Sequence, residues 1–317
     1  MKTIGFPRFG IYTTIIVDTF RELGFTVLMP PPITKKTIEL GVKYSPGEIC
    51  FPFKVTLGTM MELLERKVDV IAQIGTKGWC VLRCYACVQE QILKDLGYKF
   101  EMINFNVYEP VKTYRALKKI NPQLNIFRIV FTLIRGFKKI RETDLREKEI
   151  NKNSDIRIGI IGEIHTCDEP AVNLHTIEKM QKMGCYVEKW IGLWGNIKCY
   201  FRNVFKLKNA GMRIYRKKAK QYFPEKTGGH ANENLVRLIK YAETGFDGIV
   251  CLRPLYCNPE GIMEYAFEQV SRDYNIPLLL VSIDEAISET HLQTRIESFV
   301  DMLKMKKEKE AGIVWKR

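Results

Sequence analysis

Five of the nine cysteines occur in short segments that contain glycine or proline and lead into predicted helices. Cys50 is alone in its segment, Cys80, Cys84 and Cys87 share a second one, and Cys257 lies near the C-terminus. Thiolates are the usual ligands of iron–sulfur clusters, and short spacings let one segment supply several ligands. A helix N-terminus beside a thiolate would lower the pKa of the thiol and stabilise the negative charge of a cluster. The five residues are therefore predicted to bind an iron–sulfur cluster.

Two other kinds of site use similar cysteine sets. The spacing Cys80-x-x-x-Cys84-x-x-Cys87 also matches the cluster loop of radical S-adenosylmethionine enzymes. In that family an aromatic residue precedes the third cysteine, where this chain has Ala86, and the loop follows the first strand, whereas here a whole βαβα unit precedes it. Four thiolates would also suit zinc. Structural zinc sites usually use paired short knuckles, however, and these cysteines are spread over much of the chain.

The other four cysteines carry weaker signals. Cys185 and Cys199 have apolar or aromatic neighbours, and Cys251 lies inside a predicted strand. All three are predicted to fill the core, where free cysteine is common. Cys167 follows a predicted strand in a polar segment, so both a core role and a functional role stay open for it.

Among the histidines, His230 has the most unusual neighbours. It follows Gly228 and Gly229, a pair that would let a loop approach another group closely. His175 lies on a predicted helix and His291 at the start of the last one, and both are predicted to be structural. The histidines form no serine–histidine–aspartate set with a defined spacing.

Apolar runs alternate with segments of helical periodicity in both halves of the chain. Runs of this kind predict strands at 2–6, 26–29, 68–74, 157–161, 186–190, 248–252 and 278–282. A βαβα alternation is typical of a parallel sheet covered by helices. The predicted class is therefore α/β with two parallel-sheet halves, and functional sites in such folds lie at the carboxyl ends of the strands.

The segments between the two halves are rich in lysine and arginine. We predict an N-terminal α/β domain over residues 1–108, a helical connector over 109–152 and a C-terminal α/β domain over 153–317. A basic helical insertion is predicted at about 195–243. Neither of the glycine-rich sequences that bind nucleotide phosphates, G-x-x-x-x-G-K-[ST] or G-x-G-x-x-G, occurs in the chain.

The net charge of the 317-residue chain is +14. Much of the excess lies between Lys198 and Lys226, which hold ten basic residues and one acid, Glu225. Such a run is either a solvated helix face or a surface for nucleic acid, coenzyme phosphates or an acidic protein. The N-terminus does not resemble a signal peptide, and no apolar run reaches the roughly 18 residues of a membrane helix. We expect a cytoplasmic protein, in which disulfides are rare.

Several segments together resemble the family of 2-hydroxyacyl-CoA dehydratases and the proteins related to their activators. Its superfamily includes benzoyl-CoA reductase and double-cubane cluster proteins. The similar segments lie in both halves of the chain and include Ile4-Gly5-Phe6-Pro7-Arg8, Glu48-x-Cys50-x-Pro52-x-Lys54, Gly78-x-Cys80, Gly228-Gly229-His230, Gly245-Phe246-Asp247-Gly248-Ile249, Cys257-x-Pro259-Glu260 and Thr294-Arg295-Ile296-Glu297-x-Phe299.

The resemblance implies two flavodoxin-like or Rossmann-like domains with a cluster in the crevice. It implies ligation by Cys50, Cys80 and Cys257, and electrons that arrive from a separate ATP-dependent activator. The chain departs from the family in its extra Cys84 and Cys87, so both a 4Fe–4S cluster and a double-cubane cluster stay open. The implied function is low-potential electron transfer or reduction, with an acyl-CoA or other small molecule as substrate.

Two other functions compete with a reductase or dehydratase component. One is a non-catalytic iron–sulfur carrier or maturation factor for a dehydratase system. The other is an anion-binding or nucleic-acid-binding protein whose cysteines hold a structural metal, although we do not expect nucleic acid to be the partner. A homodimer or heterodimer is expected, and no membrane association.

Overall fold

A computed structural model describes residues 2–75, 82–106, 109–204 and 210–310. The chain divides into two compact units, Met1–Glu142 and Thr143–Arg317. Each unit contains one four-stranded sheet whose paired strands are all parallel. The predicted class, α/β with two parallel sheets, is therefore confirmed. The exact domain bounds given above stay a prediction.

The first unit begins with a strand and alternates strands with helices. Its strands are β1 (Thr3–Gly5), β2 (Thr26–Val27), β3 (Val70–Gly75) and β4 (Glu101–Asn106), and its helices are α1 (Thr13–Glu22), α2 (Lys35–Tyr44), α3 (Phe51–Glu65), α4 (Leu82–Asp95), α5 (Pro110–Ile120) and the larger part of α6 (Ile126–Glu147). The order of strands across the sheet is β2-β1-β3-β4.

Helices cover both faces of this sheet. Side chains that alternate along β3 belong to different clusters: Val70 packs with Val17 and Leu117, whereas Ile71 packs with Phe53 and other residues of α3. This alternation follows from the two-residue period of a strand. Because Leu117 belongs to α5, the first helix of the predicted connector contributes to the core of the first unit.

A close contact between α2 and α3 fixes the start of α3. A Cβ atom on Gly58 would lie 1.9 Å from the carbonyl oxygen of Thr37, and one on Gly41 would lie 1.8 Å from that of Lys54. Only glycine at both positions lets the two backbones approach so closely. The Thr37 hydroxyl also donates a 2.7 Å hydrogen bond to the buried carboxylate of Glu62.

The second unit has the same arrangement of strands. Its strands are β5 (Arg157–Gly162), β6 (Tyr186–Lys189), β7 (Gly248–Pro254) and β8 (Leu278–Ile283), and its helices are α7 (Ile164–Asp168), α8 (Thr176–Lys182), α9 (Leu193–Val204), α10 (Ala210–Tyr222), α11 (Ala231–Glu243), α12 (Asn258–Asp273) and α13 (Glu289–Glu310). The order across the sheet is β6-β5-β7-β8.

Two glycines show how helices pack on opposite faces of this sheet. A Cβ atom on Gly159 would lie 2.5 Å from the ring of Tyr241 in α11, and one on Gly248 would lie 2.8 Å from Leu303 in α13. Gly159 pairs with Ile249, the residue after Gly248, so the two glycines face opposite sides. Helices α11 and α13 therefore cover the two faces.

The structure adds elements that the sequence pattern did not predict. Strand β4 and helix α2 were not predicted, and Cys84 and Cys87, which were predicted to precede a helix, lie inside α4. The predicted basic insertion consists of α9, α10 and α11. Among the described residues, no helix combines the length and the apolar character that a membrane span needs.

Replacement of Gly58 by alanine is expected to destabilise the first unit by about 2 kcal/mol or more, because the new Cβ would force α2 and α3 apart. Gly47→Ala is the control, since a Cβ there meets nothing within 4 Å, and we expect a change within about 0.5 kcal/mol. Urea unfolding of both variants measures the difference. Equal midpoints would contradict the proposed close contact.

Candidate functional site

In each sheet, the third strand of the unit is flanked by two helices that begin at the carboxyl edge of the strands. In the first unit these helices are α3, which leads into β3, and α4, which follows it. In the second unit they are α11, which leads into β7, and α12, which follows it. We call the N-terminal ends of α3 and α4 the first half-site, and those of α11 and α12 the second half-site. Ligands of open parallel sheets bind at this edge.

Cys50 occupies the N-cap position of α3 in the first half-site. Its backbone is extended, and Pro52 stands in the first turn of the helix, a position where proline needs no hydrogen-bond acceptor. The residue is 6% exposed, and its thiol is hydrogen bonded to the hydroxyl of Tyr85 on α4. The Tyr85 ring packs edge-on against Phe53, with ring centroids 4.9 Å apart. The thiol is thus held at the positive end of a helix.

A buried amide joins the two helices of the first half-site. The Gln89 side chain on α4 donates to the Phe53 carbonyl at 3.1 Å and to the Thr56 hydroxyl at 2.8 Å, both on α3. Its oxygen accepts a 2.9 Å hydrogen bond from Gln73 on β3. Gln89 has no exposed surface, so these bonds are protected from water and fix the relative position of the two helices.

The other three cysteines predicted for this half-site differ in their positions. Cys84 and Cys87 lie within α4 rather than in the loop before it, and both are exposed. Tyr85 and Gln89 occupy the buried side of the same helix. Cys80 lies outside the described residues.

Cys257 occupies the N-cap position of α12 in the second half-site. It is half-buried, and Pro259 stands in the first turn, as Pro52 does after Cys50. The preceding residue, Tyr256, has a φ of 46°, a left-handed conformation that costs a residue with a side chain about 1 kcal/mol. This turn brings the chain from β7 directly into α12, and it places Cys257 at the carboxyl edge of the sheet.

A second buried amide joins the helices of this half-site. Asn234 on α11 donates to Glu260 on α12 at 2.7 Å and to the Gly162 carbonyl at the end of β5 at 2.9 Å. Its oxygen accepts a 2.8 Å hydrogen bond from the indole of Trp190, which follows β6. Asn234 therefore ties together the ends of two strands and the first turns of two helices.

Glu260 carries its carboxyl group in a nearly water-free position. The residue is 1% exposed, and within the described part of the chain its Oε2 atom has no hydrogen-bond partner. Burial raises the pKa of Glu260 to about 8, and the charge of Glu163 adds to this, while the hydrogen bond from Asn234 and the charge of Arg253 oppose it. At neutral pH the group is therefore mostly a neutral carboxylic acid.

His230 occupies the N-cap position of α11, next to the two glycines that the sequence singled out. Gly228 and Gly229 have φ values of 79° and 56°, a conformation that glycine adopts at no steric cost. The imidazole meets the Trp190 ring edge-on at a centroid distance of 6.1 Å. Burial lowers the pKa of His230, although Glu163 and Glu233 oppose this, so the neutral imidazole is favoured.

The cysteines predicted to fill the core do so where the structure describes them. Cys185 and Cys251 are fully buried, which confirms the prediction, and Cys167 is also buried. The side chain of Cys199 lies outside the described part. Among the described residues, which do not include Cys80, no group of three or more histidine, cysteine, aspartate or glutamate side chains could hold a metal ion.

Two family models match the chain. Residues 3–72 match a CoA enzyme activase domain described as uncharacterised. Residues 119–303, more than half of the chain, match the 2-hydroxyglutaryl-CoA dehydratase D-component. The chain belongs to the 2-hydroxyglutaryl-CoA dehydratase D-component family. The resemblance drawn from the cysteine motifs is thereby confirmed. No curated protein matches the chain significantly.

The two family models cover different half-sites. The D-component match contains the whole second half-site, including Asn234, Cys257 and Glu260. The activase-domain match contains Cys50 and ends within β3, before Cys80. Sequence reasoning found the cysteines from their spacing, but it missed Gln89 and Asn234, because a single amide in a helix has no spacing signal. Glu260 lies in a motif that resembles the family, but the sequence did not predict a role for it.

Replacement of Glu260 by glutamine in this dehydratase component is expected to change how stability depends on pH. The pKa of Glu260 is raised from 4.5 to about 8, so the folded chain keeps a proton that the unfolded chain releases between these values. The group's contribution to stability is complete below about pH 4.5 and is lost as the pH rises to about 8. Glutamine mimics the protonated acid and removes this loss.

Urea unfolding at pH 5 and pH 8 measures the effect. Relative to the wild type, we expect the free energy of unfolding of Glu260→Gln to rise by roughly 3 kcal/mol between pH 5 and pH 8. The control is Glu268→Gln, which changes an exposed glutamate of the same helix and should leave the profile unchanged. Parallel profiles for wild type and Glu260→Gln would contradict a protonated Glu260.

Proposed function

We propose that this 2-hydroxyacyl-CoA dehydratase-type component binds an iron–sulfur cluster and transfers low-potential electrons that it receives from a separate ATP-dependent activator. The observation that carries this proposal is the shared placement of Cys50 and Cys257, each at the N-cap of a helix with a proline in the first turn. Two thiols at such positions are suited to ligate an anionic cluster.

The chemistry of the donor set fits the cluster. A helix N-terminus favours the thiolate form, which is the form that binds iron. Both cysteines lie at the carboxyl edge of their sheets, and the D-component family is generally associated with iron–sulfur clusters. We propose Cys50, Cys80 and Cys257 as ligands, with Cys84 or Cys87 as the further candidates from the predicted set. A 4Fe–4S cluster and a double-cubane cluster both stay open.

Tyr85 and Glu260 have proposed roles beside the thiols of Cys50 and Cys257. A bound cluster would supply single-electron transfer to an acyl-CoA substrate. Tyr85 orients the Cys50 thiol, and its hydroxyl can donate a hydrogen bond to the sulfur. Glu260 is kept neutral by burial, so it adds no negative charge beside Cys257. A helix N-terminus stabilises an electron-rich group, and a neutral Glu260 does not oppose this by repulsion.

An exposed basic stripe on α10 supports docking of an acidic partner. Arg216 and Lys218 pair with Glu233 and Glu243 of α11, so they are partly neutralised within the unit. Arg213, Lys217 and Lys220 are exposed, and their spacing places them on one face of the helix. We propose this stripe, Arg213–Lys217–Lys220, as the contact for the activator or another acidic redox protein.

Loss of a proposed ligand should remove iron. Anaerobically purified Cys50→Ser and Cys257→Ser are each expected to retain less than about half of the wild-type iron and sulfide, since a serine hydroxyl replaces a thiolate that the cluster prefers. Cys185→Ala, which changes a fully buried cysteine outside both half-sites, should retain the wild-type amounts. Iron and sulfide analysis measures both. Full iron content in Cys257→Ser would exclude that residue as a ligand.

Reversal of the basic stripe should weaken the complex with the activator. The triple change of Arg213, Lys217 and Lys220 to glutamate is expected to lower the affinity at low salt by roughly tenfold or more, and less at high salt, because exposed charges are screened. A variant with Lys182, Arg272 and Lys309 changed to glutamate has the same charge but alters three other helices. Equal affinity loss in both variants would point to net charge rather than to this stripe.

A further inference from the structure

Helices α3 and α11 occupy the same place in their units. The strand orders β2-β1-β3-β4 and β6-β5-β7-β8 are identical when each unit is counted from its first strand. Helix α3 leads into the third strand of the first unit, and α11 leads into the third strand of the second. The residues at the N-caps of these two helices are Cys50 and His230. His230 therefore stands in the second half-site where Cys50 stands in the first.

The helices that follow the third strand extend this correspondence. Cys257 caps α12, and Cys80 precedes α4 in the sequence. In both units a buried amide joins the two helices: Gln89, the eighth residue of α4, links it to α3, and Asn234 links the first turns of α11 and α12. Three cap positions of the two half-sites lie among the described residues, and Cys50, His230 and Cys257 occupy them.

His230 and Cys257 cap two neighbouring helices of the second half-site. Asn234 is one turn after His230, Glu260 is one turn after Cys257, and the side chains of Asn234 and Glu260 are 2.7 Å apart. The first turns of α11 and α12 are therefore side by side, and both helix N-termini lie at the same edge of the sheet. The positive ends of two helix dipoles favour an anionic group between the two caps.

We propose that His230 is a ligand of the iron–sulfur cluster, and that the second half-site binds the cluster through His230 and Cys257. This inference rests on the proposed function. The imidazole is suited to the task, because metal binding needs a neutral ring nitrogen. Its edge contact with Trp190 limits the rotation of the ring, and the glycine pair before it adopts the left-handed backbone that leads into this cap.

His230 is better placed for this role than Cys84 or Cys87. Both cysteines are exposed on α4, whereas Tyr85, which contacts Cys50, lies on the buried side. At about 100° per residue, Cys87 points roughly 200° away from Tyr85 around the helix axis.

Pulsed EPR of the reduced, anaerobically purified protein tests the proposal directly. Protein grown with ¹⁵N-histidine is compared with unlabelled protein, so that a histidine nitrogen bound to iron is recognised by the isotope change in its hyperfine coupling. We expect this coupling in the wild type and its complete loss in His230→Cys, which can keep the cluster with a fourth thiolate. The reduction potential of His230→Cys should fall, because thiolate replaces a neutral ligand.

The matched control is His175→Asn, which changes another helix-capping histidine of the same unit at a left-handed position that asparagine tolerates. It should keep the coupling. A wild-type cluster without histidine coupling, or a coupling that survives in His230→Cys, would overturn the role of His230 and leave the proposed function standing. Protein without iron and sulfide would overturn the proposed function itself.

Discussion

The buried amide hydrogen bonds at the carboxyl edge of each sheet determine where the candidate ligands lie. Gln89 and Asn234 each form buried hydrogen bonds between two helices that flank the third strand of their unit. A buried amide that lost one partner would cost about 1–3 kcal/mol, so each network tolerates few arrangements of its helices. The cap residues Cys50, His230 and Cys257 take their positions from these networks.

Two electrostatic features of the half-sites favour a negatively charged ligand. Each cap residue lies at a helix N-terminus, where the partial positive charge favours a thiolate or a bound anion. Glu260 would cancel this effect if it were ionised, but burial keeps its carboxyl largely protonated. A carboxyl group in the core is thus compatible with a negatively charged ligand one helical turn away.

The sequence predicted the parallel sheets well because their strands are nearly continuous apolar runs. Strand β4 was missed because Glu101, Asn104 and Asn106 interrupt its apolar residues, as is usual at the edge of a sheet. The helical position of Cys84 and Cys87 was missed because their neighbours show no capping signal. The cysteine caps could be predicted from motifs, whereas the roles of Gln89 and Asn234 depend on residues distant in sequence and could not.

Family membership is established by the D-component match. The two units share one strand order, and in each unit a cysteine motif lies where a helix begins at the carboxyl edge of the sheet. A proline two positions after the cysteine starts the helix, the turn at Tyr256 brings the strand directly to the cap, and the amide fixes the neighbouring helix. Each feature serves the same end, which is to present a thiol at the carboxyl edge of a parallel sheet.

The most direct test of this account is to measure iron and acid-labile sulfide in anaerobically purified protein, together with the EPR spectrum after reduction. The account predicts iron and sulfide in near-equal amounts, at about four or more of each per chain if the cluster is cubane-type, and a signal that appears on reduction. Zinc without sulfide, or protein free of metal after strictly anaerobic preparation, would contradict it.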